Sequence, residues 1–94
     1  MPANMKLNEM RGYADMGYVD RAGIVIGELH GELACELWIH LEKSHEDERV
    51  WLCTDRERLP TRKFKSIKGA INAMTEIGLY SFEVFNTDGK NLKI

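Results

Sequence analysis

The chain has 94 residues, of which 44% are hydrophobic and 30% charged, the profile of a single globular domain with a modest core. That length excludes a second domain and leaves no room for a large catalytic cleft with its own lid. A net charge of −2 excludes a generally basic coat for nucleic acid, and no apolar run approaches the ~20 residues of a membrane span.

Residues 1–10 hold no apolar stretch flanked by a small-residue cleavage site, so no secretory signal is expected and the cytoplasm is the default compartment. Residues 1–17 read as a flexible or weakly helical segment. Leu7, Met10, Tyr13 or Ala14, and Met16 recur at helical spacing, but Gly12 interrupts them.

From Gly23 the pattern turns to β. Ile24-Val25-Ile26 is a short β-branched run, and His30-Gly31-Glu32 reads as a tight connection. Leu33, Cys35, Leu37, Ile39 and Leu41 then alternate with Ala34, Glu36, Trp38, His40 and Glu42, the clearest period of two in the chain. After the polar run 43–49, Val50, Leu52 and Thr54 alternate with Trp51, Cys53 and Asp55. A hairpin with Leu41 opposite Val50, Ile39 opposite Leu52 and Trp38 opposite Cys53 puts both apolar sets on one side. That register sets Cys35 opposite Arg56, far from Cys53, which argues for two reduced core thiols rather than a disulfide.

Ser66 is a sound N-cap for a helix carrying Ile67, Ala70, Ile71, Met74 and Ile77, with Gly78 placed for a left-handed C-terminal cap. Tyr80 to Phe85 reads as a strand, Asp88-Gly89 as a hairpin turn and Leu92 to Ile94 as a short return strand. The expected architecture is α+β: a mostly antiparallel sheet, β-β-β-α-β-β, with one helix packed on one face, and residues 1–94 forming one domain.

No set of residues carries a catalytic chemistry. His30, His40 and His45 sit among seven acidic residues between Glu28 and Glu48, but their spacing fits no metal-ligand pattern. Cys53 and His40 share a face under the register above without a third group to orient them. The glycines Gly23, Gly27 and Gly31 lack the helix N-terminus of a phosphate loop. The expectation is therefore a non-enzymatic module with no metal and no cofactor.

Two surfaces remain. The sheet face opposite the helix carries Trp38, His40 and Trp51, a candidate protein interface for a partner or a second copy of the chain. The alternative is that the N-terminal segment folds back and covers the two indoles. The second surface is the segment 56–68, RERLPTRKFKSIK, with six bases and one acid against seven bases and fourteen acids elsewhere. Its cations Arg56, Arg58, Arg62, Lys63, Lys65 and Lys68, with Phe64 interleaved, form a candidate anion or nucleic-acid patch. A third reading has the acidic turn from Glu42 to Glu48 dock on a basic partner. Contact with protein leads, nucleic acid follows, and no membrane partner is expected.

The hairpin followed by a helix of the form F-x-S-x-x-x-A-x-x-A (Phe64, Ser66, Ala70, Ala73) resembles the sheet-plus-helix shape of small DNA readers such as the arm-type-site-binding domains of phage integrases. The likeness covers about a third of the chain, rests on hydrophobic periodicity and carries over no functional residue.

Overall fold

The computed structural model describes residues 4–44, 48–54 and 61–86. Its elements run α1 (Leu7–Asp15), β1 (Val19–Leu29), β2 (Glu32–Leu41), β3 (Val50–Trp51), α2 (Ile67–Ile77) and β4 (Glu83–Asn86). The strands form one mixed sheet in the order β3-β2-β1-β4, antiparallel except for the pair β1–β4. The class is α+β as expected, with two helices in place of one. The Asp88-Gly89 turn and the Leu92 to Ile94 strand lie outside the described residues.

The second helix is the N-terminal segment itself. The backbone N–H of Lys6 donates to the Glu9 carboxylate at 2.9 Å and secures the first turn of α1. Met10 is fully buried, and Leu7 and Ala14 pack beside it. α1 touches α2, so both helices cover the same sheet face. Gly12 has open space around it and is simply tolerated inside the helix. α2 has the bounds its signals implied: Ser66 Oγ accepts from the Gly69 N–H at 3.0 Å, and Gly78 takes the left-handed cap at φ 101°.

β1 is far longer than the run Ile24 to Ile26, because its pairing with β2 continues through Gly27 to Leu29. His30 and Gly31 close that hairpin with φ of 54° and 80°, the two positive values of a type I′ turn. At the other end, Val19 pairs with Leu41 and Arg21 with His40, so Asp20 is the extra residue of a bulge. The bulge lets Val19 and Ala22 both reach the core while Asp20 and Arg21 go to the opposite side.

The register between β2 and β3 differs from the expected one by two residues: Ile39 pairs with Val50, and Trp38 with Trp51. Leu41 and Glu42 are engaged elsewhere. Leu41 pairs with Val19, the Glu42 N–H donates to the Tyr18 carbonyl at 2.7 Å, and Lys43 turns the chain at φ 72°. An even slip leaves every side chain on its original face. Ala22, Ile24, Ile26, Cys35, Leu37, Ile39, Val50 and Leu52 therefore pack under the helices. Cys35 pairs with Phe64 rather than Arg56, and Cys35 and Cys53 are both free and buried. Alternation along β2 and β3 sets the two thiols on opposite sheet faces.

Candidate functional site

On the face away from the helices, one cross-strand row runs Trp51, Trp38, Gly23, Glu83. The indole of Trp38 lies across β1 above Gly23, so closely that a Cβ there would fall 2.4 Å from Cε2. The Arg49 guanidinium stands 4.2 Å from the ring centroid, and that of Arg21 at 5.7 Å. Arg21 also pairs with Glu83 at 3.3 Å. One turn of pleat away, His40 Nδ1 meets Asp20 Oδ1 at 2.6 Å, a contact made possible by the bulge.

These contacts correct the interface expectation. Trp38 is 0% exposed and His40 5%, so neither offers a contact surface, and Trp51 is half-buried. The indoles do face away from the helices, as expected. Of the N-terminal segment, α1 lies on the other face and so does not cover them. Met5 runs beside the edge strand, exchanging backbone hydrogen bonds with Trp51 and Cys53 at 2.9 and 2.8 Å. The Trp38 indole is enclosed by Gly23, which the sequence marks only as the start of a strand, and by Arg49, which it does not single out. A glycine inside an apolar β run, with a large aromatic on the neighbouring strand, was the available signal.

The basic segment is more ordered than a solvated connection. Residues 61–64 are stitched to the sheet edge: the Arg62 N–H donates to the Leu52 carbonyl, and Phe64 and Cys35 exchange both backbone bonds, all at 2.8 Å. Thr61 bridges to Cys53. The extended backbone splits the side chains between two sides. Thr61 and Lys63 turn toward Glu36, where the Thr61 hydroxyl donates to the carboxylate and Lys63 Nζ lies 3.2 Å from Thr61 Oγ1 and 3.9 Å from the carboxylate. Arg62 and Phe64 turn toward the helices, where Phe64 packs against the core with the Arg62 guanidinium 4.7 Å above its ring.

The six candidate cations thus separate. Arg56 and Arg58 lie outside the described residues. Lys63 is partly neutralised by Glu36. Arg62, Lys65 and Lys68 are exposed, and none has an ion-pair partner among the described residues. Of the acidic turn, Glu42 is exposed and Glu48 half-buried, while His45, Glu46 and Asp47 lie outside the described residues.

Elsewhere, an open cleft of about 600 Å³ at the hairpin end is lined by Ile26, Leu29, Leu33, Ile67, Glu36 and Lys63, among others. Burial pushes the Cys35 thiol above its ordinary value of 9.0. Among the described residues, no three His, Cys, Asp or Glu side chains gather as metal ligands, and no helix is long and apolar enough to cross a membrane. Comparison with family models, curated proteins and solved structures finds no match for the chain.

Proposed function

We propose that the protein is a non-enzymatic binding module that holds nucleic acid through the basic strap at the start of α2. The observation that carries this reading is the state of Arg62, Lys65 and Lys68: exposed and without an acidic partner among the described residues, with Arg62 on backbone pinned to the sheet, Lys65 directly after the pinned Phe64 and Lys68 in the first turn of α2. Cations held in place lose less freedom on meeting phosphate than cations on a loose loop. No acidic side chain among the described residues pairs with these three. Titration of a labelled oligonucleotide duplex at about 25 mM salt tests the reading, against a variant carrying Arg62→Glu, Lys65→Glu and Lys68→Glu. Saturable binding that the triple variant abolishes, with its thermal melt unchanged, supports it. Equal binding by both proteins, or by neither, removes it.

A second reading is contact with a protein partner or a second copy of the chain. With Trp38 buried, it rests on the half-exposed leucines Leu29 and Leu33, which border the 600 Å³ cleft at the hairpin end. Light scattering over a concentration series, with Leu29→Ser and Leu33→Ser beside wild type, tests self-association. A wild-type mass that stays at one protomer throughout excludes the dimer.

A further inference from the structure

Resting on the nucleic-acid reading, we infer that the ligand is a duplex gripped by its phosphates, not a single strand whose bases stack on the protein. The argument turns on where the aromatic rings stand relative to the exposed cations. In the sequence, Phe64 lies between Lys63 and Lys65 and looks like a stacking platform for an unpaired base.

In the fold that ring is half-buried and already engaged. It packs against the core under the helices, its Cδ1 lies 3.7 Å from where a Cβ on Gly69 would be, and the Arg62 guanidinium covers it at 4.7 Å. Trp51 is half-buried on the opposite sheet face from Arg62, and Trp38 is fully buried there. The strongly exposed rings are Tyr18 and Tyr80, and Tyr80 follows the C-terminal cap of α2, at the end of that helix away from Lys68. Tyr18 accepts from Glu42, seven positions along β2 and its extension from Cys35, the partner of Phe64, or about 20 Å away at the rise of a strand. Among the described residues, no exposed ring borders Arg62, Lys65 and Lys68.

A patch of charge without a stacking surface gains its affinity from counterion release, which is larger on a duplex. Three phosphate contacts give a log–log salt slope of about −2.7 on a duplex and about −2.1 on a single strand. If the two affinities coincide at 1 M salt, the duplex binds on the order of ten-fold tighter at about 25 mM.

The test is fluorescence anisotropy with random-sequence duplex DNA, duplex RNA and an oligo-thymidine strand of the same length, each at about 25 and 100 mM salt, with wild type and Lys65→Glu/Lys68→Glu. The inference expects both duplexes to bind several-fold tighter than the single strand. It also expects affinity for a duplex to fall about 40-fold between the two salts, with most of that dependence lost in the double variant. Preference for one duplex over the other identifies the source without touching the inference. Single-strand binding as tight as duplex binding, with a shallow salt slope, overturns it while leaving the nucleic-acid reading standing. Failure of all three probes to bind at either salt overturns both.

Discussion

Both faces of the sheet bury side chains at their centres, yet the two are built from different chemistry. Under the helices lies an aliphatic layer in which Ile24, Leu37, Ile39 and Leu52 are closed off by Met10, Met74 and Ile77. On the other face a single large ring is enclosed by a glycine below and a guanidinium above, with charged pairs around it. The first layer needs volume and periodicity, and any residue of similar size serves. The second needs particular partners at particular positions. It also leaves Trp38 Nε1 buried with no hydrogen-bond partner among the described residues.

The comparison breaks most readily at Trp38. If the second face is a true core layer, Trp38→Ala costs about 3–5 kcal/mol in urea denaturation, as much as Leu37→Ala on the helical side. A loss under about 1 kcal/mol would mean that the ring contributes no packing. A sharper cut comes at Gly23, where alanine must displace the indole. Gly23→Ala is expected to cost about 1–3 kcal/mol, and clearly less when Trp38→Leu has already removed the ring. Additive losses in the double variant would deny the close approach.

The smallest effect concerns the helical side. The folded protein holds the Cys35 proton more tightly than the unfolded chain does. Its contribution to stability is therefore complete below the ordinary thiol value of 9.0 and is lost as pH rises through the higher folded value. Stability followed from pH 8 to about pH 11 should fall more steeply for wild type than for Cys35→Ala, and parallel curves would contradict the shift.

Features governed by local periodicity or capping were readable from the residues. The alternation of 33–42 assigned the correct faces even with the register off by two, since a period of two is indifferent to an even slip. Ser66 and Gly78 marked both ends of α2. Features that depend on distant partners were not. Gly23 reads as a strand boundary until Trp38 is known to lie on it. The order of α1 depends on Met10 meeting α2, and the parallel pairing of β4 has no local signature. At the strap, the charge run was plain in the sequence. Its division into a Lys63 beside Glu36 and an Arg62 with no acidic partner among the described residues depended on backbone bonds to Leu52 and Cys35.

The parallel seam between β1 and β4 has a consequence for synthesis. Gly23 meets Glu83, sixty positions later, so the central strand leaves the ribosome long before its last neighbour exists. At ordinary translation speeds that delay is about 3–12 s, during which Ile24 and Ile26 sit on an open edge. In the cell, those seconds are when a chaperone or an aggregate competes for the nascent chain.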